Sequence, residues 1–339
     1  METLFGIDYP TLWFLVAGYA ILDGFDFGAG AWHLFFKKEK SRRLALNAIG
    51  PVWDGNEVWL VIGGGALFAG FPVMYATLFS GMYVPFMLFL LVIIMRAVSI
   101  EFRSKEPMLW WRKMWDISYS ISSIMLPFLL GIVLGNVLLG MPLGEGFEYE
   151  GEGFLSFLNP YAIMVGISTL ALMMSHGAIY LLLKTEGRMY AKLKLLLKKG
   201  MIFFMVSFSI TSYTLIYIPH LSDTFRGNPE LFVVPLAALL CIANVPRLAN
   251  KKKFGKAFLF SSLTISLLLV LVAIELYPNL LYSTLDPKYT ITVYNAASSD
   301  KSLGIMLTFA AIGAPLVLGY TAFVYVTFRG KVKIDETSY

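Results

Sequence analysis

Nine stretches of this chain, each fifteen residues or longer, are apolar enough to lie in hydrocarbon, and the basic residues between them crowd into alternate connections. A bilayer core takes about 20 apolar residues of helix, so the stretches are predicted to be membrane spans, over 10–36, 44–71, 73–100, 114–139, 160–183, 201–218, 231–245, 254–276 and 305–328. With 58% hydrophobic and 14% charged residues, against roughly 25% charged in soluble domains, no water-soluble core could hide the surplus. The expected fold is an all-α polytopic membrane protein.

Orientation follows from the charges. Twenty-three of the 27 Lys and Arg residues lie in connections 37–43, 103–113, 184–199 and 247–256 or after residue 328, and only Arg226, Lys288 and Lys301 lie opposite. Basic loops stay in the cytoplasm, so the N-terminus is expected outside and the C-terminus inside. The seventh stretch is short enough to be tilted or re-entrant, but an eight-span chain lacking it would invert everything that follows. The first span has no basic flank before it and no small-residue cleavage site, so it is not read as a signal peptide. The same asymmetry gives the net charge of +5 a bilayer origin rather than a nucleic-acid one. One cysteine excludes an intrachain disulfide, a cysteine-based zinc site and an iron–sulfur cluster.

A short internal likeness relates Leu22-Asp23-Gly24-Phe25-Asp26-Phe27 to Ser175-His176-Gly177-Ala178-Ile179-Tyr180, each before a basic connection. It suggests two parallel four-helix units: 1–140, then an acidic connector 141–158, then 159–277, with 278–339 supplying a loop, a ninth peripheral helix and a tail.

Charges inside spans are costly and call for a reason. Asp23 and Asp26 share a helix face at i, i+3, and Asp54 and Glu57 repeat that spacing. Arg96 and Asp116 sit toward the basic ends of the third and fourth spans, and Glu275 alone lies in the second unit. The aspartates fit either a proton relay or structural carboxylates; Glu57 fits the interface, Arg96 a snorkelling cation, and Asp116 a helix N-terminal acid. Asp26, ten residues before the expected end of its span, would lie roughly 15 Å from that end. His33 and His220 stand at span ends, leaving His176 alone at mid-depth, too few for bis-histidine haem ligation. His176 is therefore expected to be a hydrogen-bonded structural residue. Gly24, Gly28, Gly30 and Gly63–Gly65 are expected to let helices approach closely.

The segments Leu22-Asp-Gly-Phe-Asp-Phe-Gly28, Gly50-Pro-Val-Trp-Asp-Gly-Asn-Glu-Val-Trp-Leu60, Gly64-Gly-Ala-Leu-Phe-Ala69, Phe102-Arg-Ser-Lys105 and Trp111-Arg-Lys-Met-Trp-Asp116 resemble subunit II of the cytochrome bd-type quinol oxidases. Leu158-Asn-Pro160, Gly177-Ala178 and Phe260-Ser-Ser-Leu-Thr264 are similar to the same family. The resemblance implies a bacterial or archaeal cytoplasmic-membrane complex that oxidises quinol and reduces O2 to water. It implies a partner subunit I that carries the quinol site and ligates haem b and haem d, with this subunit haem-free. Protons would come from the cytoplasm without pumping, and quinol protons would leave outside. Asp26 and Asp54 would be proton-relay residues, supported by Asp23, Glu57, Arg96 and Asp116. Glu57 is expected to matter least, because some relatives have Gln there. The resemblance leaves open a structural quinone, a small accessory subunit, ubiquinol against menaquinol, and the haem variant. The competing reading is a proton-coupled secondary transporter, which should carry charges in both units.

Overall fold

The computed structural model describes residues 2–215 and 227–334. Its elements are α1 (Glu2–Ala31), α2 (Glu39–Ile49), α3 (Trp53–Gly70), α4 (Pro72–Gly81), α5 (Tyr83–Phe102), α6 (Leu109–Leu139), α7 (Pro160–Lys184), α8 (Gly187–Leu215), α9 (Val233–Asn250), α10 (Phe254–Leu276), β1 (Asn279–Leu281), β2 (Ile291–Thr292) and α11 (Asp300–Thr327). Among the described residues seven helical segments are long and apolar enough to cross a bilayer. An eighth results if α3 and α4, bent by 117°, count as one broken span.

The second and third expected spans have other boundaries. The stretch 44–71 is interrupted at Gly50–Val52, where Pro51 has no N–H to continue the helical ladder, and α2 packs Ala45, Leu46, Ala48 and Ile49 inward as a separate short helix. The stretch 73–100 divides at Met82 into α4 and α5, because Pro85 likewise cannot donate back to Gly81. Two further expectations lengthen. The seventh stretch belongs to a helical run over Pro229–Asn250 of 22 residues, about 33 Å at helical rise. The basic stretch before the sixth is itself the first part of α8, whose expected end at residue 218 lies outside the described residues.

Helix α1 is central, packing on α3, α6, α7 and α10. Its crossing with α7 is set by glycine: a Cβ on Gly28 would lie 1.9 Å from the Met173 carbonyl oxygen, and one on Gly177 would lie 2.4 Å from the Gly28 carbonyl carbon. Gly24 and Gly30 are equally confined, by Met173 and Ser123. Gly63, Gly64 and Gly65 are not, since a Cβ there meets nothing within 4 Å. The expectation that they seat a neighbouring helix of this chain fails, and α3 instead carries Val58, Val61 and Phe68 exposed on its surface.

At the end of the bundle away from the basic connections, the two long links interlock. Gly140, at φ +85°, ends α6 in a conformation only glycine adopts without strain. Met141 N–H then donates to the Tyr282 carbonyl (2.9 Å) and Ser283 Oγ–H to the Leu143 carbonyl (2.8 Å). The short antiparallel pair β1–β2 completes this cap over Met74, Leu78 and Leu276.

Candidate functional site

A short spacing of polar residues on α1 brings two carboxylates into the bundle interior. Asp23 and Asp26 are both fully buried, and each meets a different helix. Asp23 Oδ1 lies 3.0 Å from Nη2 of Arg96, which is itself fully buried on α5 and stacked over Phe27, 4.8 Å from the ring centre. Arg96 is thus an interior cation rather than a snorkelling one. Its Nη1 also donates to Glu57 Oε2 on α3 (3.3 Å). Asp26 Oδ2 accepts from Asn56 Nδ2 (2.7 Å), and the same amide donates to the Leu22 carbonyl (3.1 Å). The hydroxyl of Tyr325, far along the chain on α11, donates to Asn56 Oδ1 (3.1 Å). Two connected arms result: Glu57–Arg96–Asp23 and Tyr325–Asn56–Asp26.

Asp54 stands outside this interior set. It is exposed in the first turn of α3, three residues and so one turn before Glu57 on the same side. The residues of α3 that reach the buried groups are instead Asn56, which meets Asp26, and Glu57, which meets Arg96. The first span runs over Tyr9–Phe35, close to the expected 10–36; α1 ends at Ala31 and a short 3-10 turn, His33–Phe35, completes it.

Around the pair are polar atoms with no hydrogen-bond partner among the described residues: Asp26 Oδ1, the hydroxyls of Tyr19 and Tyr119, and those of Ser120 and Ser123. Tyr119 and Ser123 lie against Gly30, one turn beyond Asp26 on α1. Buried groups of this kind are ordinarily satisfied by water.

Asp116 belongs to a second cluster. It lies in the second turn of α6, so the reading of a helix N-terminal acid does not hold. Its Oδ1 receives Arg103 Nε (2.6 Å) and His33 Nε2 (2.5 Å), its Oδ2 receives Arg42 Nη1 (2.8 Å), and Arg103 also pairs with Glu39 (2.9 Å). The knot ties α6 to the turn after α1, to α2 and to the end of α5. Its partners share no spacing pattern with Asp116, which is why sequence inspection passed over them. Asn56, two residues after Asp54, was within reach of such inspection; Tyr325, 269 residues from Asn56, was not.

His176 is fully buried with both ring nitrogens engaged, Nδ1 with Ser261 Oγ (2.9 Å) and Nε2 with the Ile21 carbonyl (3.1 Å). It tightens the packing of α1, α7 and α10, as expected of a structural histidine. His33 is committed to Asp116, and His220 lies outside the described residues.

Comparison with known proteins agrees with this architecture. The family model for cytochrome bd terminal oxidase subunit II matches residues 7–328. The chain is 34% identical over 336 residues to cytochrome bd ubiquinol oxidase subunit 2 of Bacillus subtilis, covering 96% of this chain and 97% of that one. It is 30% identical over 370 residues to cytochrome bd-I ubiquinol oxidase subunit 2 of Escherichia coli, covering 97% of each. In fold it is similar to a chain of the bd oxidase from Geobacillus thermodenitrificans, with a TM-score of 0.79 at 20% identity over 96% of this chain and 99% of that one. Matched over nearly its whole length, the chain belongs to the cytochrome bd terminal oxidase subunit II family.

Proposed function

We propose that this chain is the haem-free subunit of a membrane complex that oxidises quinol and reduces O2 to water, and that it carries protons from the cytoplasm toward the oxygen-reducing site of a haem-bearing partner. The observation that carries this reading is the set Asp23, Asp26 and Arg96, all fully buried, with the half-buried Glu57 beside them. A single guanidinium faces three carboxyls there. It can balance only one carboxylate, and in a low-dielectric interior the others are tolerable only with a proton on them or close by. A group held in that condition can pass a proton on. Asp54 would receive protons at the surface and Glu57 and Arg96 would lie along the way to Asp26. Tyr325, Asn56 and the unpartnered hydroxyls near Tyr119 supply the polar surroundings that bridging water needs. The pathway would move protons without pumping, the gradient arising because quinol protons leave on the opposite side.

Among the described residues the histidines do not suit a haem: His176 has no nitrogen to spare, and His33 is held by Asp116. In this reading haem b, haem d and the quinol site belong to the partner. Its contact surface would include α3 around Gly64 and Gly65 and the exposed apolar side of α5 at Leu90, Leu91 and Ile94, since small residues at a surface allow close approach of a helix from another chain.

Nine spans with the N-terminus outside fit the chain best. The seven qualifying helices are joined by α3, with α4 folded away at its end, and by α8, whose described part has 29 residues, about 43 Å. Two four-helix units over 1–140 and 159–277 would then be related through the α1–α7 crossing.

The test is a visible spectrum of this chain expressed alone and of the complex purified through it. The expected outcome is no haem signal in the isolated chain and haem b and d bands in the co-expressed complex. Stoichiometric haem in the isolated chain refutes the assignment.

A further inference from the structure

At the basic end of the bundle, an open cleft of about 570 Å³ lies between the α2–α3 turn, the end of α7 and the segment after α11. It arises because Gly330, at φ +97°, turns the chain back after α11, and Val332 N–H then docks on the Lys184 carbonyl (2.9 Å). Four cations line it, Lys184, Arg329, Lys331 and Lys333, and among the described residues no acidic one does.

Two of the four are held in place. Lys184 Nζ donates to the Phe328 carbonyl (2.7 Å), and Lys331 Nζ donates to the carbonyls of Leu182 (3.1 Å) and Thr185 (2.9 Å). An ammonium has three donors, so each keeps capacity for a further acceptor. Arg329 and Lys333 are exposed and have no ion-pair partner among the described residues. The cleft is thus a fixed concentration of positive charge with unspent donors, the electrostatic complement of a phosphate. Phe328 lines the cleft, and Val326 and Phe323, within the turn and a half before it on α11, are exposed on a helix whose sides are almost wholly uncovered. A free inorganic anion has no use for such a strip; an acyl chain does.

We propose that this cleft binds the phosphate of an anionic phospholipid in the leaflet at the basic end of the bundle, with its acyl chains lying along Phe323 and Val326. The lipid would tie α11 to the end of α7 and to the α2–α3 turn, close to where Tyr325 reaches Asn56.

The test uses the complex of this chain with its partner subunit, stripped of lipid in detergent, and measures retained phospholipid by native mass spectrometry after titration with dioleoylphosphatidylglycerol. The wild type should retain the lipid. The Arg329→Gln, Lys333→Gln double variant should need at least about tenfold more for the same occupancy. The Lys251→Gln, Lys252→Gln variant, which removes the same charge from another basic connection, should behave as wild type. Equal retention in the first variant, equal weakening in the second, or equal retention of dioleoylphosphatidylcholine would each overturn the proposal. So would full displacement of the lipid by millimolar inorganic phosphate, which would reassign the cleft to a free anion, or retention only after deletion of residues 335–339, which would make the tail itself the occupant.

Discussion

Replacing Asp26 with asparagine separates a proton-transfer role from a packing role. The amide is nearly the same shape, and its oxygen can still accept the 2.7 Å bond from Asn56 Nδ2. What the fold loses is at most the difference between a charge-assisted and a neutral hydrogen bond, about 1 kcal/mol, and less with a proton already on Asp26. The unpartnered Oδ1 becomes an amide group with nothing to break. Assembly and haem content of the complex should therefore stay normal. Turnover should not, because an amide cannot bind and release a proton. Steady-state O2 reduction is expected to fall at least about tenfold, equivalent to about 1.4 kcal/mol in the barrier, for Asp26→Asn and likewise for Asp54→Asn. Glu57→Gln should do much less, since Glu57 is partly exposed and its bond to Arg96 is long at 3.3 Å. The assay is oxygen consumption per haem in purified, assembled complexes. Full turnover in the Asp26→Asn, Asp54→Asn double variant would refute the relay. Failure of Asp26→Asn to assemble would show that the carboxylate is structural.

Gly28→Leu should abolish accumulation of the folded chain, because even a Cβ there collides with the α7 backbone at Met173; overpacking of this kind costs about 3 kcal/mol or more. Gly64→Leu should leave the chain folded and inserted but prevent co-purification of the haem-bearing partner, since a Cβ at this position meets nothing of this chain within 4 Å. Asp116→Asn leaves Arg103 buried with only Glu39 to pair, a loss of about 3–5 kcal/mol. It should lower the denaturation temperature of the complex while turnover per surviving haem stays near wild type; a turnover defect at unchanged stability would move Asp116 into the proton route. Cysteines placed at Ser41, Ser104 and Lys252 should be labelled only from the cytoplasmic side and one at Ser298 only from outside, and outside labelling at Lys252 would show that α9 does not cross.

Much of this protein could be read without coordinates, because the bilayer imposes its demands residue by residue. A helix in hydrocarbon must be apolar along its length, and the basic asymmetry records direction, so the helical class and the approximate spans follow from one-dimensional pattern. The charges of the site were equally legible, since Asp23, Asp26, Asp54, Glu57 and Arg96 stand out against apolar neighbours; that only Asp23, Asp26 and Arg96 of these are fully buried was not. Helix breaks were harder. Pro51 and Pro85 are visible in the sequence, yet whether proline kinks a span, splits it or begins a new one depends on what the freed carbonyls and the bent ends can pack against. Here α2 has a buried face to fill and α4 an end cap to join, so both stretches divide. Glycine roles depended on partners in the same way: Gly28 and Gly65 look alike in sequence, but one meets α7 and the other faces outward. Only the tertiary structure could decide which polar groups meet. Tyr325 reaches Asn56 from the far end of the chain, Arg96 chooses Asp23, and His33 joins Arg42 and Arg103 around Asp116. A hydrogen bond is specified by distance and angle in space, and no periodicity of the sequence carries either across two hundred residues.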